Sequence, residues 1–186
     1  MIYTAYMNTI FALVGSSRSG KSTLMKEVLG LIPDRVGIIK SFTTRAKRNT
    51  EEDDLFYDFL SLAEFEQKKA DNAFAECIEH AGNFYGYEYA TIDAVLAHKH
   101  GICAVVEYAL PDLVRAGYSV APIKITPINS EAICSAFYAQ HTERENADAE
   151  RAKIPVQFSG GIINSFEPGG KEKAVRDLIA FIEQYK

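Results

Sequence analysis

The sequence predicts an α/β fold built on a mostly parallel sheet with helices on both faces. Apolar runs of strand length alternate with amphipathic helical patterns along the chain, the order that parallel βα units require. A Gly/Ser-rich loop with one lysine stands between the first such run and the first helical pattern. The 186 residues, 47% hydrophobic and 24% charged, suit one globular domain and exclude disorder as the dominant state.

The elements follow in order. Thr9 to Val14 is a continuous apolar run, as a buried parallel strand requires. Gly15 to Gly20 form a loop. Leu24, Met25, Val28 and Leu29 then recur on one face of a helix. Val36 to Ile39 is a second short strand, and residues 40–54 read as loop, basic first and acidic after. Ser61-Leu62-Ala63-Glu64 is a capping box, so a helix starts at Leu62. Thr91 is placed to cap a helix that runs to about His100, with Gly101 as its stop. Ile102 to Val106 is a strand, and Pro111 suits the first turn of a short helix ending at Gly117. Val120 to Ile125 is a further strand, and residues 129–141 read as helix. Lys171 to Gln184 is a terminal amphipathic helix with Ala174, Val175, Leu178, Ile179 and Ile182 on one face.

The net charge is −5, from 20 Lys+Arg against 25 Asp+Glu, so the chain is not a general binder of nucleic-acid backbones. No apolar stretch approaches the ~20 residues that span a bilayer. Met1 to Met7 lacks the features of a signal peptide. Cys77, Cys103 and Cys134 have no ligand spacing and read as reduced thiols of a cytoplasmic protein. His80, His98, His100 and His141 show no ligand or triad spacing and read as surface residues. The sequence does not indicate an oligomeric state.

Gly15-Ser16-Ser17-Arg18-Ser19-Gly20-Lys21-Ser22 satisfies G-x-x-x-x-G-K-[ST] in full, after a strand and at the start of a helix. This is the phosphate loop of P-loop NTPases, and it implies the three-layer fold of that class. Its glycines let successive N–H groups converge on one point, and the helix N-terminus adds partial positive charge. Lys21 supplies a cation for the β/γ phosphates, and the Ser22 hydroxyl suits Mg²⁺. Gly15 to Thr23 is therefore the expected ATP-binding stretch.

Ser41-Phe42-Thr43-Thr44-Arg45-Ala46-Lys47-Arg48 follows the second strand. Arg45 and Arg48 are two guanidinium forks that can clamp one phosphate dianion. A solvated basic loop, neutralised by Glu51-Glu52-Asp53-Asp54, is the alternative.

GSSRSGKSTL, SFTTRAKR, FYDF and FAECIEHAGNFYG, in that order, resemble the guanylate kinase family of P-loop nucleoside monophosphate kinases. The resemblance is strongest over residues 10–86. It implies that Ser41, Arg45, Arg48, Tyr57 and Tyr85 hold the acceptor's phosphate. Glu76 then accepts hydrogen bonds from the guanine N1–H and 2-amino group, both of them donors. Glu107 matches an acid that organises Mg²⁺. The second acid of that pair falls on Ala109, and a small family hydroxyl that touches guanine falls on Tyr87. Arg151 matches a transferred-phosphate arginine of the lid, Arg144 can stand in for another, and Asn164 matches a residue near the adenine. Other lid arginines are missing, with Gln140 near one of their places.

The resemblance further implies one domain over 1–186. Its core is 8–39, 92–130 and 160–186, with an acceptor-binding subdomain at about 40–90 and a lid at about 138–157. The expected activity is phosphoryl transfer from ATP to a nucleoside monophosphate, GMP first, with Lys21, Arg45, Arg144 and Arg151 stabilising the transferred group. The expected partners are small nucleotides, with neither nucleic acid nor membrane. Two readings stay open beside it. One is a relative acting on another phosphorylated acceptor, such as a ribose bisphosphate or a different nucleotide. The other is a non-catalytic module that binds nucleotide or phosphopeptide.

Overall fold

The structure is a computed structural model that describes residues 8–47 and 51–186. A five-stranded sheet runs in the order β2 (Val36–Ile38), β7 (His100–Ala104), β1 (Ile10–Val14), β8 (Val120–Ile128), β9 (Gly160–Ser165). Every pairing in it is parallel. The central β1 is buried along its whole length, and its period-2 alternation divides the core. Phe11 and Leu13 face one cluster with Leu24 and Val28 of α1 (Lys21–Leu31) and Val175 and Leu178 of α8 (Gly170–Ile182). Ile10, Ala12 and Val14 face a second cluster with Ile92 and Leu96 of α4 (Tyr89–Leu96) and Leu113 of α5 (Leu110–Arg115). Helices thus cover both faces, as the sequence predicts.

A second, four-stranded sheet stands beside the first, in the order β4 (Tyr57–Phe59), β3 (Ser41–Thr43), β6 (Asn83–Glu88), β5 (Phe74–His80). Here β3 pairs β4 parallel, while β3–β6 and β5–β6 are antiparallel. The short helix α2 (Glu51–Phe56) precedes β4. Residues 40–54 are therefore not all loop: Ser41–Thr43 becomes a strand because β6 and β4 supply its ladder, a non-local partner that local pattern does not reveal. β5 and β6 form a hairpin whose two-residue loop, Ala81-Gly82, has positive φ at both positions.

Local signals place several helices well. α3 (Leu62–Ala70) starts at Leu62, with the complete Ser61/Glu64 capping box. Pro111 lies in the first turn of α5. The expected Thr91 cap is absent: α4 begins at Tyr89 after Glu88 and ends at Leu96. His100 and Gly101 open strand β7 instead. Gly101 serves close packing, since a Cβ there would lie 2.3 Å from Ile39 Cδ1. The 129–141 helix is α6 (Glu131–Tyr138), followed by α7 (Thr142–Arg151). No helix among the described residues is long and apolar enough to cross a membrane.

Candidate functional site

The loop between β1 and α1 wraps around Lys21. Its Nζ donates to Gly15 O at 2.7 Å and Ser16 O at 2.9 Å. Burial, and then the Arg151 charge, lower its pKa to about 8. Gly20 holds φ 89°, and a Cβ there would meet Asn164 Nδ2 at 2.2 Å, so a side chain at that position would be strained and would displace the Asn164 amide. Asn164 donates from Nδ2 to Ser19 O at 2.9 Å and is buried. Its side chain braces the loop, a different task from the adenine contact implied by the resemblance.

A cavity of about 480 Å³ opens from this loop. It joins Gly15, Ser17, Arg18, Gly20, Lys21, Ser22 and Thr23 to Ser41, Arg45, Tyr57, Glu76, Tyr85 and Tyr87 from the second sheet, and to Arg144 and Arg151 from α7. Ser16, Ser19, Glu107 and Asn164 do not line it. Ser19 and Asn164 are buried and bonded to each other, and Glu107 accepts Arg151 Nη1 at 2.7 Å. Arg48 lies outside the described residues.

On the second sheet, Arg45 is held by Asp53, with Nη2 on Oδ1 at 3.0 Å, and lies 5.1 Å from the centre of the Tyr57 ring. The basic stretch is therefore partly neutralised by Asp53 of the acidic run, yet Arg45 still faces the cavity. Tyr57 and Tyr85 meet edge to face at 6.4 Å. Arg144 Nη2 donates to the Tyr85 hydroxyl at 3.2 Å, tying α7 to this sheet.

At the far end Glu76 is 3% exposed, and its Oε1 has no hydrogen-bond partner. Burial, with Asp112 adding to it, raises its pKa to about 8. An orphaned buried carboxyl oxygen is costly unless a ligand supplies donors. Tyr87, also buried, donates its hydroxyl to Ala104 O at 2.8 Å. Ala109 contributes only a methyl group to the wall. Glu76 is thus the one acid of the expected base-reading set that faces the cavity.

Two histidines depart from the surface expectation. His100 is buried, and its Nδ1 accepts the Thr9 N–H at 3.0 Å. His80 lines the cavity and bonds the Tyr108 hydroxyl through Nδ1 at 3.1 Å. Sequence reasoning placed Asp53 only in a neutralising acidic run and missed Asp148. The i,i+3 spacing of Asp148 and Arg151 hints at a pair, but no sequence signal brings Asp148 to the loop. Ile133 and Phe137 of α6 and Phe166 were missed as well. They line the cavity beside Arg18, whose guanidinium lies 4.7 Å from the centre of the Phe137 ring.

Residues 7–157 match the family model described as guanylate kinase. The guanylate kinase of Symbiobacterium thermophilum is 31% identical over 177 residues, covering 93% of this chain and 83% of its own. That of Schizosaccharomyces pombe is 29% identical over 186 residues, covering 89% of this chain and 86% of its own. The crystal structure of guanylate kinase from Anaplasma phagocytophilum shares the fold, with a TM-score of 0.70 at 20% identity over 96% of this chain and 86% of that one.

Proposed function

This chain belongs to the guanylate kinase family, and on that premise we propose that it transfers the terminal phosphoryl group of ATP to the phosphate of GMP, giving ADP and GDP. One observation carries the reading. A phosphate loop and a buried carboxyl group with an unpartnered oxygen, Glu76, face one cavity, with Arg45, Tyr57 and Tyr85 on the same wall system.

The loop amides of Gly15–Thr23 and Lys21 hold the β/γ phosphates. Ser41, Arg45, Tyr57 and Tyr85 hold the acceptor's phosphate, and Arg48 is assigned the same task by resemblance. Glu76, once ionised, accepts the guanine N1–H and 2-amino donors. The acceptor oxygen is already anionic, so no general base is needed. Catalysis is positioning plus neutralisation of the equatorial oxygens by Lys21, Arg144 and Arg151. Residues 40–90 act as the acceptor-binding subdomain. Residues 138–157, which include α7, act as the lid that excludes water.

Mg²⁺ fits the Ser22 hydroxyl, which lines the cavity, whereas Glu107 is off the cavity and paired to Arg151 at 2.7 Å, so it would serve the ion only on leaving that pair. Such an ion would take its remaining ligands from phosphates and water. When bound, it supplies neutralising charge to the donor phosphates. The three free cysteines and the nucleotide substrates support a cytoplasmic site of action.

Ala109 and the committed Tyr87 hydroxyl favour a second reading, in which a different phosphorylated acceptor is used. Coupled measurement of ADP release with GMP, dGMP, AMP and ribose bisphosphate separates the two. Turnover with GMP is expected. GMP inert while another acceptor turns over reassigns the substrate, and ATP binding without turnover of any acceptor points to a binding module.

A further inference from the structure

Asp148 of α7 is a carboxylate seated on the phosphate loop. It is 8% exposed. Its Oδ2 accepts the backbone N–H of Ser17, inside the phosphate loop, at 2.7 Å, and the Tyr138 hydroxyl at 2.6 Å. Its Oδ1 accepts Arg151 Nε at 2.8 Å. Arg151 directs its other nitrogens to Glu107 Oε2 and to Gly15 O, each at 2.7 Å. One carboxylate thus binds a loop amide and the Nε of an arginine expected to meet the transferred phosphoryl group.

Burial pushes the Asp148 carboxyl up, but hydrogen bonds from Tyr138 and Ser17 and the Arg151 charge outweigh it and hold the pKa at about 2. The group is therefore an anion at neutral pH. A phosphoryl oxygen seeks the same donors, an oriented loop amide and a guanidinium. Two anions cannot share the Ser17 N–H, and at that separation they repel.

We propose that Asp148 is an internal anion that competes with the donor's terminal phosphate for the phosphate loop, so that donor binding displaces it and frees Arg151 Nε for the transferred group. The proposal rests on the donor site described above. Contacts from α7 and α6 to the loop define the latched state, and the donor binds only the unlatched one. Apparent donor affinity then falls by the unlatched fraction. Displacement couples arrival of the donor to release of α7 from the loop.

Calorimetric titration of the full chain with AMP-PNP and with ADP, without acceptor, tests this in wild type, Asp148→Asn and Tyr138→Phe. Asp148→Asn is expected to tighten AMP-PNP about tenfold and ADP, which lacks the terminal phosphate, much less. Tyr138→Phe, which keeps the charge but removes one donor to it, is expected to tighten AMP-PNP about threefold. Folding of each variant is checked by circular dichroism, and if Asp148→Asn does not fold, Tyr138→Phe decides. Unchanged or weaker AMP-PNP binding in a folded variant, or equal tightening of ADP, overturns the competition while leaving the donor site in place. No AMP-PNP binding by any of the three proteins removes the donor site itself, and the competition with it.

Discussion

Glu76 is inserted into a place that disfavours its charge, and that fixes its behaviour with pH. Its pKa is raised from 4.5 to about 8 by burial and Asp112. A guanine edge offers two donors and needs the anion, so with ATP saturating, which keeps Lys21 protonated, kcat/KM for GMP should rise from pH 7 to 9 with an apparent pKa near 8. Glu76→Gln should abolish that rise, and initial rates across the range check it. Stability runs the other way. The folded protein keeps a proton on Glu76 that the unfolded chain releases above about 4.5, so this contribution is full below 4.5 and is lost as pH climbs through 8. Glu76→Gln should therefore melt at least about 2 °C above wild type at pH 8, with a smaller gap at pH 5. Lys21 carries the opposite sign of charge. Burial and Arg151 hold it at about 8, and a bound phosphate anion favours its proton, so donor binding at pH 8 should take up protons. Titrations in buffers of differing ionisation enthalpy measure that uptake. At this scale the phosphate loop and Glu76 were legible, because each matches a local motif. Asp148 and His80 were not, since their tasks depend on the Ser17 amide and the Tyr108 hydroxyl, 131 and 28 residues away.

Among the elements, those with self-contained signals were read closely from the sequence. The Ser61/Glu64 box fixes the start of α3. Ser61→Ala should cost about 1 kcal/mol, a loss of roughly 2–4 °C in melting temperature. The strands of the second sheet were missed because they become strands only by non-local pairing, β3 with β4 across 16 residues (Ser41 to Tyr57) and β3 with β6 across 44 (Phe42 to Gly86). That sheet lines the cavity and carries the proposed acceptor contacts, so its energetics bear on the proposed function. Arg45 and Asp53 are both nine-tenths buried and paired at 3.0 Å. Arg45→Ala leaves a buried carboxylate without its guanidinium and should destabilise by roughly 3 kcal/mol. The Arg45→Ala/Asp53→Ala double variant should lose less, while KM for GMP rises at least about tenfold in both. Denaturant midpoints and steady-state kinetics on the pair separate the stability effect from the binding effect.

For the whole molecule, the alternation of strands and helices made the parallel sheet legible, and the odd and even residues of β1 explain why two cores flank it. The second sheet and α7 were less legible, because their place is set by contacts such as Arg144 to Tyr85 and Asp148 to Ser17 that join distant parts of the chain. The consequence is one cavity walled by the phosphate loop, the second sheet and α7. The proposed transfer requires donor and acceptor to share that cavity, phosphate to phosphate. Calorimetry with adenosine and guanosine joined through five phosphates tests it most directly. Such a compound should bind at least about 100-fold more tightly than ATP or GMP alone, because the second site is reached within one molecule. Affinity no higher than that of ATP would contradict it.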